Sequence, residues 1–311
     1  MESNSNPNSV EGESRNWLEL PVDVTSMILQ KLGPVEILTY AQYVCSSWRK
    51  ICEDPLMWRV IDMRYPCDWW DMDYDLEEMC RQAVKRSCGE LIHINIEHFG
   101  TDDLLRYITQ SCNQLSRLRL VYCNRISDEG LIEAVSKLPL LEDLELSFCS
   151  FNVETLGTLG QNCPGLKSLK LNRQFYRRVE CDKGALAIAD NMPNLRHLHI
   201  FGNNLTNRGL EAILHGCSAL ESLDLRQCFN LNLAGQLGAK CSEKIKDLRL
   251  PHDPTDDCEF TTEIIDDDDN YDDDYDYPFG LSDTDLLTDD DDYYEFSGGS
   301  DFSDYTDLYF Y

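Results

Sequence analysis

LSRLRLVYC at residues 115–123, LEDLELSFC at 141–149, LRHLHIFGN at 195–203 and LESLDLRQC at 220–228 are four versions of one nine-residue phrase. Each places leucine or isoleucine at its first, fourth and sixth positions and ends on Cys or Asn. Three looser versions begin at Leu91 (LIHINI), Leu166 (LKSLKL) and Ile245 (IKDLRL). The intervals between successive starts are 24, 26, 25, 29, 25 and 25 residues. Self-similarity at such a period signals a stacked array, in which no unit buries its apolar face alone.

The rest of each unit fits a strand followed by a helix. The apolar-x-apolar alternation suits a strand with one buried face. Cys123, Cys149, Asn203 and Cys228 occupy the slot where the chain leaves that strand and a side chain can bond the backbone; Gln174 and Asp253 fill it less well, and Phe99 breaks it. Stretches such as DEGLIEAVSKL and NRGLEAILHGC then repeat apolar residues at three- and four-residue steps. Cys88, Cys112, Cys163 and Cys217 stand three residues before a strand start, with Cys241 one place off. The pattern resembles the cysteine-containing leucine-rich repeats (LRRs), with the thiols expected to act as small buried hydrophobes. The fold class expected is an α/β solenoid: a small N-terminal helical unit, then a right-handed LRR solenoid with parallel strands inside and helices outside, then a disordered acidic tail. The helix in DLEEMCRQAVKRSC lies outside the repeat, and its stripe of Leu76, Met79, Cys80, Ala83, Val84 and Cys88 suits an end cap.

Charge separates the body from its tail. The chain of 311 residues carries 27 Lys and Arg against 57 Asp and Glu, a net −30. Residues 253–311 hold 23 of the acids and no Lys or Arg, so the first 252 residues are only modestly negative. An acidic block of this kind is expected to stay solvated and disordered. A body without clustered Lys and Arg argues against nucleic-acid binding. No run reaches the roughly 18–20 apolar residues of a membrane span, and the polar N-terminus is unlike a secretory signal. Fourteen Cys with no such signal and no CxxC pair fit reduced thiols, and a location in the nucleus, the cytoplasm or both.

Residues 17–60 carry a second pattern: WLELPVDVTSMILQKLGPVEILTYAQYVCSSWRKICEDPLMWRV. Val24, Ile28 and Leu32 share one helical face, and Gly33-Pro34 ends that helix. Ile37, Ala41, Val44, Trp48 and Ile51 continue the spacing up to Asp54-Pro55. LPxDxxxxILxxL, then VCxxWRxI, then DPxxWR resembles an F-box, the segment that docks on Skp1 in SCF ubiquitin ligases. With the repeats behind it, the chain resembles a plant-type F-box/LRR protein of the Skp1-interacting group over about residues 16–252. The resemblance implies Skp1 contact by Leu20, Pro21, Ile28 and Leu29, with Leu32 and Val44 on the same surface. It implies packing by Trp48 and Trp58. It also implies a non-catalytic adaptor, with Skp1 and a cullin/RING core on one side and an unknown protein substrate on the other.

Strand alternation places a second set of residues on the concave surface. Among them are Arg117, Arg119, Asp143, Glu145, Lys170, His197, His199, Phe201, Asp224 and Arg226. This surface alternates in charge, which suits a protein partner. The 29-residue interval contains an insertion, NRQFYRRVECDKG, whose Phe175, Tyr176 and Arg177 are of types favoured at binding hot spots. His197 and His199 share a strand face, but no third metal ligand accompanies them. No GxSxG, HExxH, P-loop or GxGxxG occurs, and no cofactor is expected. The divisions read this way are 1–15 disordered, 16–62 F-box, 63–88 junction and capping helix, 89–252 repeats and 253–311 tail. LRRs with an acidic tail also resemble acidic nuclear proteins that bind histones, which leaves an alternative: a binding or chaperone protein for basic partners outside the ubiquitin system.

Overall fold

A computed structural model describes residues 20–64, 74–173, 175–176, 179–259 and 263–264. Its centre is a sheet of eight parallel strands, each hydrogen-bonded to the next in chain order. Strands β2 (His93–Glu97), β3 (Arg117–Val121), β4 (Asp143–Ser147) and β5 (Ser168–Asn172) come from the first four sequence runs; β7 (His197–His199), β8 (Ser222–Asp224) and β9 (Asp247–Arg249) come from the last three. Pairing is in register, so Ile94, Leu118, Leu144, Leu169, Leu198, Leu223 and Leu248 form one row across the sheet. All but the last of these are buried. Helices α6 (Asp102–Ser111), α7 (Asp128–Ser136), α8 (Val153–Asn162), α9 (Lys183–Asn191), α10 (Asn207–Gly216) and α11 (Gln236–Lys244) alternate with the strands. Their apolar faces complete a single core with the strand leucines.

The array begins one strand earlier than the Leu91 run suggests. Residues Val60–Met63, at the end of the helical unit, form β1 and pair in parallel with β2. Helix α5 (Leu76–Arg86) therefore joins two neighbouring strands, as the other helices do, and does not cap the end of the stack. Its Met79, Cys80, Ala83 and Val84 are buried as expected, but the helix stops at Arg86 and Cys88 is exposed with φ +48°, outside the apolar stripe. The free end of the sheet is closed by the helical unit instead. Arg86 holds the two together: it donates to Gln42 Oε1 at 2.7 Å and to the Cys52 carbonyl at 3.3 Å, and lies 5.4 Å from the Trp58 ring centre.

Polar side chains repeat as regularly as the leucines. The carboxylate of Asp102, at the start of α6, accepts from the Ser127 N–H and hydroxyl at 2.8 and 2.7 Å. Asp182 does the same for Thr206 at 2.7 and 2.8 Å, one repeat before it. Each acid thus ties down the N-cap residue of the following helix. The repeat glycine is tied to this device: a Cβ on Gly130 would lie 2.0 Å from an Asp102 oxygen. Where the chain leaves the strands, His98, Tyr122, Phe148 and Gln227 adopt positive φ, and Gly202 takes the same place in its repeat. The next residue is Cys or Asn in four of these turns, and in three of them Cys123, Cys149 and Cys228 donate to carbonyls of their own and the preceding repeat.

The helical unit departs from the sequence reading in one respect. Residues Ile37 to Ile51 are not one helix. A π-helical turn at Ile37–Ala41 runs into Gln42–Val44, and Cys45 then adopts an extended conformation (φ −160°, ψ 168°) that caps a new helix, α4 (Ser46–Cys52). Three- and four-residue spacing survives such a break, so periodicity alone does not reveal it.

Candidate docking surfaces

In helix α1 (Val22–Leu29), Thr25 and Leu29 face inward, and Val22, Val24, Met27 and Ile28 stay exposed. Leu29 is 0 % exposed and belongs to the core, which corrects its assignment as a contact residue: it packs the unit from within. Pro21, Ile28, Leu32 and Val44 are exposed, Val44 to 61 %, and Leu20 is half-buried. Trp58 is buried, with its Nε1–H donating to the Cys52 carbonyl at 2.8 Å, and Trp48 is half-buried against the core. Among the described residues, ten of the fourteen large exposed hydrophobics lie between Val22 and Val60. So dense a concentration in so short a segment marks an interaction surface.

The concave face of the sheet is a second site. Sheet register sets Arg117 beside Asp143, Arg119 beside Glu145 and Lys170 beside Glu145. The side chains meet at 3.1, 3.0 and 3.5 Å. Asn95 links this ladder to β1, donating to Asp62 at 2.9 Å and accepting from Arg119 at 2.9 Å. A second cluster joins β7 to β8, where the His199 Nδ1 lies 3.3 Å from Asp224 and Arg226 binds Asp224 through both Nε and a terminal nitrogen. The alternation read from the sequence is therefore largely a set of internal ion pairs. Arg119, Glu145, Asp224 and Arg226 are buried, and Phe201, at 2 % exposure, belongs to the interior, not to an open binding surface. His197 is exposed. Burial pushes the His199 pKa below its ordinary value, reinforced by Lys170 and Arg226 and opposed by Asp224 and Glu145.

Burial on this face has a source that the sequence did not suggest. Residues 253–259, assigned to a disordered tail, cross the concave surface. Glu259 meets Arg119 at 2.9 Å and Arg64 at 3.5 Å, and both Asp257 and the Pro254 carbonyl accept from Arg226. Glu263–Ile264 (β10) then pairs in parallel with β6 (Phe175–Tyr176), inside the insertion. Between strap and sheet lies a cavity of about 310 Å³, lined by Lys170, Asn172, His199 and Arg226 among others. Arg177 and the chain beyond Ile264 lie outside the described residues. Among those described, no three His, Cys, Asp or Glu side chains are placed to hold a metal ion.

Three family models match the chain: "F-box-like" over residues 17–64, "FBD-associated F-box protein At5g56370, LRR repeats" over 76–183, and "Leucine Rich repeat" over 191–214. The Arabidopsis thaliana protein named F-box protein SKIP19 is 53 % identical over 307 residues, covering 97 % of each chain. Putative F-box/LRR-repeat protein 22 from the same plant is 50 % identical over 252 residues, covering 80 % of this chain and 81 % of its own. Putative F-box/LRR-repeat protein 23 is 54 % identical over 245 residues, and the match spans 55 % of its length. With an F-box match leading into a register-perfect repeat sheet and an end-to-end relative at this identity, the chain belongs to the F-box/leucine-rich-repeat family.

Proposed function

We propose that the protein is the substrate-recognition subunit of an SCF-type ubiquitin ligase, docking a Skp1-type adaptor on the F-box and a protein substrate on the solenoid. The observation that carries this reading is the cluster of exposed apolar side chains on residues 22–60, in a unit whose interior is already filled by Leu29, Val35, Ile51 and Trp58. A folded unit that leaves Met27, Tyr43 and Val44 in water has a surface to cover. Arg86 fixes that unit to the repeats, so a partner held on one would stand at a set distance from a partner held on the other. The protein itself acts as an adaptor without catalysis, and transfer of ubiquitin belongs to a cullin/RING core reached through Skp1. It would act in the nucleus or the cytoplasm. The alternative of an acidic chaperone for basic partners leaves the exposed F-box surface without a role.

Immunoprecipitation of the full chain from cells tests the proposal. Skp1 and a cullin should co-purify with the wild type and be lost together from Val44→Asp. Recovery of the cullin with that variant, or its absence from the wild type, contradicts the assignment.

A further inference from the structure

We propose that the concave face between β3 and β8 is a docking site for an acidic peptide segment of a partner protein, and that this chain's own residues 253–259 occupy it in competition. The proposal rests on the reading of the solenoid as the substrate-bearing part. It names the chemistry of what binds there.

Three features converge on it. First, the strap is held by its carboxylates: Asp257 on Arg226, and Glu259, two residues on, spanning Arg119 and Arg64. An acidic segment with carboxylates two positions apart is therefore a shape this face already accepts. Second, the strap is dispensable to the face. Arg226 retains Asp224 without it, Arg119 retains Glu145 at 3.0 Å, and Arg64 retains Asp62 at 2.7 Å. The strap carboxylates are largely in water, with side chains 60 % exposed at Asp257 and 48 % at Glu259. Ion pairs so exposed are weak and screened by salt, so the strap can exchange.

Third, the strap leaves the site incompletely used. The cavity beneath it borders Asn172, a residue 8 % exposed whose buried Oδ1 accepts no hydrogen bond among the described residues. Buried acceptors are ordinarily satisfied, so a donor brought against Asn172 would gain a partner there. Beside it Lys170, with its side chain 47 % exposed, has Glu145 at 3.5 Å, which leaves its ammonium capacity for another anion. A partner segment that places a carboxylate at Lys170 and an N–H or O–H at Asn172 gains contacts the strap does not make. It would displace residues 253–259 for that reason.

Fluorescence anisotropy on the full chain tests this, with a fluorescein-labelled peptide of the sequence 253–264 carrying Cys258→Ser as the probe. The wild-type strap competes at the high effective concentration of a tethered ligand. The Asp257→Asn/Glu259→Gln chain should therefore bind the probe about tenfold or more tightly than wild type. Adding Arg64→Gln to that variant should reverse part of the gain, because Arg64 meets Glu259, and Arg119→Gln should act in the same direction. Arg64 has its side chain 49 % exposed, so its variant folds even where Arg119→Gln does not. Equal binding to the wild-type and strap variants, binding unchanged by both Arg64→Gln and Arg119→Gln, or no binding to any of them overturns the proposal. A parallel titration with Skp1 keeps its failure separate from failure of the adaptor reading.

Discussion

Burial decides what the individual polar and sulfur-bearing residues can do. Desolvation pushes the thiols of Cys112, Cys163 and Cys217 up to about 11, and those of Cys80 and Cys228 to about 12. The thiolate is the reactive form, so these groups should be inert in the folded protein. Brief alkylation with iodoacetamide followed by peptide mapping should label Cys88 well before these five, which should react only after denaturation. Early labelling of Cys228 would show that the repeat interior is open. The histidines report on the same core. His93, His98 and His199 all have pKa values lowered chiefly by burial. The unfolded chain takes up protons near its ordinary value of about 6.5 and the folded chain resists them, so stability should fall as pH drops below that point. Thermal melts from about pH 7.5 to 5.5 should show the decline, and His199→Gln should flatten part of it. An unchanged slope would mean that His199 is not held neutral. Cysteine position was legible because the repeat set it. His199 and Phe201 were misjudged as freely presented because alternation gives the face of a side chain but not what lies over it.

At the scale of elements, the repeats were readable and the F-box faces were not. Seven runs in register define their strands, since every inward leucine has a leucine or isoleucine partner on the neighbouring strand. Helix α1 offers two apolar stripes, one around Thr25 and Leu29 and one around Val24 and Ile28, and composition does not say which is inside. The distinction is testable. Leu29→Ala should cost about 2–5 kcal/mol of stability by opening a cavity, whereas Ile28→Ala should cost little. Denaturation with urea measures both, and equal losses would mean that the helix is turned the other way. The helix-start acids make a separate prediction. Asp102→Ala frees the Ser127 N–H and hydroxyl and should cost about 1–2 kcal/mol in the same assay. A neutral effect would show that the ladder from α6 to α7 carries no stability.

For the whole molecule, the helical unit, the sheet and the first part of the acidic segment form one connected system. β1 makes the F-box the first strand of the solenoid, Arg86 locks the joint, and Glu259 returns from beyond the last repeat strand to Arg64 beside β1. None of these links was visible in the sequence. β1 is too short to display a period, and a charge run reads as solvated when its cationic partners lie 31, 140 and 195 residues away along the chain. That architecture places an exposed apolar face at one end of a concave scaffold, and the proposed adaptor role depends on that end. Calorimetric titration of the purified full chain with a Skp1-type adaptor tests it most directly, with Val44→Asp run beside the wild type. The wild type should bind one-to-one with a Kd of about 1 μM or lower, and a variant that keeps the wild-type circular dichroism and melting temperature should give no heat. No heat from the folded wild-type chain, or equal binding by both proteins, would contradict it.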